Sequence, residues 1–228
     1  MSESLTAAPK PDHFSPVDAL NNVNFEFAGV HYAPRTDEKM REVLLHPKAK
    51  GPAVHYHMVR GAGNVTIWEP GVVKDEFIKT YGHVHVGQIS ETYEILHGEG
   101  YAVLQRYATD QQGKMIADEV EDVKIIPVKV GDSIFMPPGW GHLLVNTGVD
   151  YFVTIDDSPV WFGEKPDEAS MPGHADYEIV KEARGFAYYI VQGSDGQPAL
   201  VRNKKYKEIR SQDLGGLRVV EDYKYDDA

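Results

Sequence analysis

Between residues 52 and 162 no single periodicity lasts long, and that limits what the chain can fold into. Short apolar or alternating segments (AVHYHMV, NVTIWEP, EFIKTYGHVHV, ETYEILHG, GYAVLQRY, VKIIPVKV, DSIFMPP, HLLVNTG, YFVTIDD) follow one another, separated by the turn signals RGAG, EPG, HGEG, DQQG, KVGD and NTGVD. Alternation marks half-buried strands and Gly/Asn/Asp clusters mark the turns between them. Strands at such regular spacing, without a long helical stripe, predict an all-β antiparallel sandwich or barrel.

At 228 residues the chain can bury a substantial core. Around the strand-rich stretch we expect three parts: an N-terminal arm and flanking segment over 1–50, the barrel over 51–195, and a C-terminal extension over 196–228. TDEKMREVLLHPK can form one short helix, and YEIVKEARGFAYYIVQG and PALVRNKKYKEI read as further strands with a helical turn. A net charge of −12 argues against nucleic acid or an anionic membrane as partner, because both are bound mainly by Lys and Arg. No run approaches the roughly 18 apolar residues that a membrane span needs. The N-terminus lacks the basic stretch and apolar core of a secretory signal, and zero cysteines remove a disulfide framework, so a cytoplasmic setting is expected.

The chemistry concentrates in YGHVHVGQISETYEILHG. Side chains alternate along a strand, so His83 and His85 point the same way while Val84 and Val86 pack behind them. Gly87 to Ser90 can turn the chain, after which Glu91, Tyr93 and Ile95 share one face of the next strand and Glu94 faces the other. If that face is the barrel interior, two imidazoles and a carboxylate meet, a donor set suited to a divalent metal. A fourth candidate, His142, opens the second of two short strands in GDSIFMPPGWGHLLVN, with Asn146 on the same face.

Together these stretches resemble the paired motifs of the cupins. His83, His85, Glu91 and Gly98 match the first motif, and Gly131, Pro137, Gly139, His142 and Asn146 match the second. Phe77 stands where the first motif usually begins with Gly. The resemblance implies a double-stranded β-helix, or jelly-roll barrel, with an N-terminal arm and short peripheral helices. Within the cupins, TIWEPGVVKDEF, KTYGHVH, SETYEILHGEGYAVLQ, MPPGWGHLLVNTG and PGHADYEIV are similar to the metal-dependent glucose-6-phosphate isomerase family of archaea and some bacteria. That similarity implies interconversion of glucose 6-phosphate and fructose 6-phosphate. It implies one divalent ion per subunit on His83, His85, Glu91 and His142, with Fe2+ expected first and Mn2+, Ni2+ or Zn2+ as other occupants. It makes Glu91, His142 and Tyr93 the catalytic set, has Thr66, Thr80 and Gly82 hold the phosphate, and has Tyr93, His174 and Tyr177 line the sugar. A cupin oxygenase or decarboxylase would use the same metal ligands and is the alternative. Edge-strand pairing in such sheets makes a homodimer the expected assembly.

A second His-x-His pair, His55 and His57, lies outside both motifs and has no carboxylate at the matching distance. We expect strand imidazoles there, hydrogen-bonded or facing solvent, with Tyr56 able to reach the pocket. His97, beside the Gly98–Gly100 turn, is expected to be a loop residue.

Overall fold

The computed structural model describes residues 31–61, 63–159 and 171–225; of the N-terminal arm and flanking segment expected over 1–50, residues 1–30 lie outside them. The described chain is all-β, built on two large sheets. The larger sheet is six-stranded, in the order β1 (His31–Thr36), β2 (Val54–Arg60), β3 (Asn64–Trp68), β12 (Phe152–Asp156), β7 (Glu91–His97) and β10 (Ser133–Met136). The second carries β11 (Gly141–Asn146), β8 (Glu99–Thr109) and β9 (Met115–Lys129), with β16 (Glu208–Ile209) and β17 (Gln212–Asp213) both running parallel to β9. β8 follows β7 in sequence but joins the other sheet, so the chain passes from one wall of the barrel to the other.

Smaller sheets close the flanks. β4 (Val72–Val73), β5 (Glu76–Phe77), β14 (Tyr188–Gln192) and β15 (Pro198–Arg202) form one, and β6 (Val84–His85) with β13 (Ala175–Asp176) forms the other. Among the described residues helix is confined to α1 (Asp37–Met40), capped by the Thr36 hydroxyl, and α2 (Glu178–Glu182). The helix expected in TDEKMREVLLHPK is therefore a single turn, and the preceding HYAPRT pairs with β2 as an edge strand.

Side-chain parity is what the sequence predicts. In β7, Glu91, Tyr93 and Ile95 are buried while Glu94 and Leu96 are exposed. β11 is buried at every residue, as a strand covered on both faces must be. The core draws on both walls, with Tyr56, Trp68, Phe152, Ile95, Val103, Leu144 and Val145 among its members. Phe77, in place of the usual motif glycine, lies in β5 and is itself part of that core. Gly98 joins β7 to β8 at φ +80, and a Cβ there would approach the Tyr151 carbonyl to 2.6 Å, so any side chain would force the corner open.

Candidate metal centre

Separate backbone pairings bring the four candidate ligands to one place. His83 and His142 oppose each other across a short antiparallel bridge, in which His142 N donates to His83 O at 3.0 Å and His83 N to His142 O at 3.3 Å. His85 sits in β6 opposite Ala175, and Glu91 starts β7 opposite Met136. One donor atom from each of the four lies within 4.8 Å of all the others. His85, Glu91 and His142 are buried, and His83 is half-buried.

The contacts within the cluster fit a divalent cation. His85 Nδ1 lies 2.9 Å from the Gly173 carbonyl, which can only accept, so this nitrogen carries the proton. In the neutral ring the Nε2 lone pair then faces Glu91 Oε2 at 3.0 Å, two electron-rich atoms that need a proton or a metal between them. His142 Nε2 lies 2.8 Å from the same oxygen but off the line a hydrogen bond needs, and neither of its buried ring nitrogens has a hydrogen-bond partner among the described residues. Burial, then the neighbouring His142 and His85 rings, hold the His83 imidazole well below its ordinary range, so it is neutral and able to ligate. Burial pushes the Glu91 carboxyl up, but the His142 and His85 contacts outweigh it and hold the group well below the carboxylate range. His83 and Glu91 are thus in the forms a metal binds, neutral imidazole and ionised carboxylate. Burial pushes the His85 imidazole down, but its Glu91 contact outweighs that and raises it, favouring a proton that a cation would displace.

Two cavities flank the cluster. One, of about 30 Å³, is bordered by Thr66, Thr80, Gly82, His83, Tyr93, His142 and Tyr177. The other, of about 280 Å³, is bordered by His83, His85, Glu91, Tyr93, His174 and Tyr177. All the residues expected to touch substrate thus border one cavity or both. Thr66 lies mid-strand opposite Met58 and Thr154, and Thr80 Oγ1 accepts from Leu144 N at 3.0 Å while its own proton stays available to donate. Gly82 has φ +83, and a Cβ there would come within 3.1 Å of the Phe186 ring, so the turn before His83 takes glycine. Tyr93 packs against the His142 ring at 5.9 Å, and burial, with the nearby Glu91 charge, pushes its phenol well up, so it stays a proton donor.

Sequence reasoning missed Arg60, the only Lys or Arg bordering either cavity among the described residues. Its Nη1 lies 3.4 Å from Thr66 Oγ1 and 3.6 Å from Asp156 Oδ2. Burial and the Glu91 charge push the Asp156 carboxyl up to about 6, which weakens its hold on the guanidinium below that pH. The signal was present: in VHYHMVR, strand parity puts Tyr56, Met58 and Arg60 on one face, and all three border the smaller cavity. Arg35 was missed as well; its guanidinium lies 5.4 Å from the Tyr177 ring centre and donates to Tyr56 Oη at 3.2 Å.

The barrel and its cluster define an all-β protein of the cupin type with a buried three-histidine, one-glutamate group that could bind a metal ion. A sequence model of the glucose-6-phosphate isomerase (GPI) family matches residues 57–209, and the chain belongs to that family. It is 29% identical over 143 residues to a glucose-6-phosphate isomerase of Thermococcus onnurineus, covering 62% of each chain. It is 30% identical over 143 residues to that of Pyrococcus abyssi, again covering 62% of each. Against the enzyme of Sinorhizobium medicae it is 26% identical over 149 residues, covering 65% of this chain and 59% of the relative. The match therefore spans about three fifths of these relatives. Among solved structures, a predicted oxalate decarboxylase from Thermotoga maritima aligns at 23% identity and TM-score 0.28, over 56% of this chain and 76% of that one. The Drosophila melanogaster CENP-C cupin domain aligns at 11% identity and TM-score 0.32, over 47% and 71%. At those scores neither bears on function.

Proposed function

We propose that the protein is a metal-dependent aldose–ketose isomerase that interconverts glucose 6-phosphate and fructose 6-phosphate. The observation that carries this reading is the convergence of His83, His85, Glu91 and His142 in a chain of this family. A divalent ion held by those four would supply a Lewis acid that polarises the sugar carbonyl and orients its adjacent oxygen.

The remaining work falls to side chains. Glu91, ionised and beside the reacting carbons, takes the C2 hydrogen of the open-chain aldose as a proton and returns it to C1, while the hydroxyl proton passes from O2 to O1. Tyr93, held protonated by burial, donates to a sugar oxygen. His174 and Tyr177 line the sugar from the far side of the larger cavity. Thr66, Thr80 and the Gly82 N–H receive the phosphate, and Arg60, which borders both cavities, adds a cation. Anchoring the distal phosphate fixes which carbons lie against Glu91, so these contacts bear on turnover as well as affinity. A hydride shift with Glu91 as ligand alone would use the same residues. Solvent deuterium bears on the two: incorporation at the transferred position requires the proton route, in which the proton on Glu91 can exchange with water before its return, because a hydride shift never exposes that hydrogen to solvent.

Among the described residues β1 and β10 end the larger sheet, and β10 exposes Phe135, so we assign the homodimer contact to these edges. Among the described residues no helix is long and apolar enough to cross a membrane.

A coupled assay of fructose 6-phosphate conversion tests the reading. Activity should vanish with chelator and return on adding back one of Fe2+, Mn2+, Ni2+ or Zn2+. No activity in any metallated form would sink the isomerase and turn the search to oxygen uptake and decarboxylation.

A further inference from the structure

A third cavity, of about 410 Å³, lies apart from the metal cluster and shares no bordering residue with the two cavities there. Leu44, Leu45 and Tyr189 give it an apolar floor, and Lys48, Arg184, Lys204 and Lys205 stand on its rim. Among the described residues no Asp or Glu borders it. None of the four cations is paired with a carboxylate among the described residues. The nearby Asp75 is engaged by His46 at 3.0 Å and by the Tyr223 hydroxyl at 2.6 Å. In a chain of net charge −12, four unpaired cations around one apolar hollow run against the overall balance. They repel one another, and an anion placed among them relieves that repulsion.

The rim is a built structure. Asn203 is buried and spends its whole amide on it: Oδ1 accepts from Lys205 N at 3.0 Å, and Nδ2 donates to the carbonyls of Ala183 at 2.9 Å and Phe186 at 3.1 Å. The turn carrying Lys204 and Lys205 is thereby tied to the loop carrying Arg184. The Tyr189 hydroxyl donates to the Arg184 carbonyl at 2.6 Å, which joins the floor to the same loop. Lys204 Nζ lies 3.8 Å from the centre of the Tyr225 ring, which holds one ammonium at the cavity mouth.

We propose that this cavity binds a small organic phosphate. Its apolar body rests on Leu44, Leu45 and Tyr189, and its dianionic head takes N–H donors from Lys48, Arg184, Lys204 and Lys205. The volume lies within the roughly 300–1,000 Å³ of small-molecule sites. The guanidinium and ammonium donors match terminal phosphate oxygens, and the floor favours a ligand with an apolar body over the bare ion. The proposal does not depend on the isomerase reading.

The test is calorimetric titration of the full chain at low salt with phenyl phosphate and, separately, inorganic phosphate. We expect saturable binding, tighter for phenyl phosphate, weakened at least tenfold by the double replacement Lys204→Glu and Lys205→Glu and several-fold by Lys204→Gln with Lys205→Gln. Thermal melts confirm that the variants fold, and the milder pair serves if the charge reversal does not. Binding should be unchanged in His142→Ala. The proposal is overturned if the full chain shows no saturable binding of phenyl phosphate, if both double variants bind it as the parent does, or if His142→Ala abolishes it, which would place the ligand at the metal cluster.

Discussion

The chain carries the same short pattern twice, His-x-His on a strand, and the two copies meet different ends. His83 and His85 converge with His142 on the single carboxylate of Glu91. His55 and His57 are just as buried, yet each has an acid of its own: His55 Nε2 meets Asp37 at 3.0 Å, with only its Nδ1 lacking a hydrogen-bond partner among the described residues, and His57 takes Tyr32 at 2.7 Å and Glu69 at 3.4 Å. Where every imidazole has its own acid or hydroxyl, the pair holds strands together. Where three imidazoles share one acid and the ring nitrogens of His142 have no hydrogen-bond partner among the described residues, the arrangement asks for a cation. The pattern is therefore read from how partners are shared, and spacing alone does not decide it.

That contrast is breakable by substitution. The largest effect is expected from His142→Ala, which should lower metal affinity by more than the roughly 10- to 100-fold that a mere outer-shell change costs, with isomerase activity falling alongside; metal analysis and the coupled assay read both. His55→Ala should leave the metal in place and cost stability, about 1–3 kcal/mol for a disrupted buried polar pair, read by denaturant unfolding. If His55→Ala strips the metal, the two pairs are not distinct.

Next in size, Arg60→Gln should retain the metal and raise the KM for sugar phosphate by roughly 10- to 100-fold, the cost of a lost charge-assisted contact. Thr80→Ala should do the same to a smaller extent, about 3- to 10-fold for a neutral hydrogen bond. Metal loss in the Thr80 variant would show that the residue supports the cluster and not the phosphate.

The smallest effect is a slope. Asp156 has its pKa raised from 3.8 to about 6 by burial and by the Glu91 charge. Between those values the folded chain keeps a proton that the unfolded chain releases, so this group's contribution to stability declines as pH rises through that window and is level above it. Unfolding of the metal-stripped protein across pH 4 to 7 should show that decline, and Asp156→Asn should flatten it. An unchanged slope in the variant would assign it to other groups.

Much of the site was legible in the sequence because strands have a period of two. Parity alone placed His83 with His85, and Glu91 with Tyr93 and Ile95, and it put Glu94 outside. The same parity extended from Tyr56 to Arg60, but an Arg at a strand end reads as a solvent-facing charge until the opposing wall is known. Asp156 was hidden for a different reason: its neighbour Asn64 lies 92 residues away in sequence, and only the register of β12 on β3 brings them together. The helix expected after Thr36 shrank to one turn because Leu44 and Val43 are drawn into the core and Leu45 N is taken by the buried Glu76 at 2.7 Å. Tertiary burial there outweighed a local propensity that was never strong. The basic cavity was unreadable for the same reason as Asp156, since Lys48, Arg184 and Lys204 are distant in sequence and meet only in the fold.

The most direct test is metal stoichiometry, measured on chelator-stripped protein after reconstitution, for the parent chain, Glu91→Gln, His142→Ala and the double variant His55→Ala with His57→Ala. One divalent ion per chain is expected in the parent and in the His55/His57 variant, with little or none in the other two. Full metal occupancy in Glu91→Gln and His142→Ala, or its loss only when His55 and His57 are removed, would contradict that expectation.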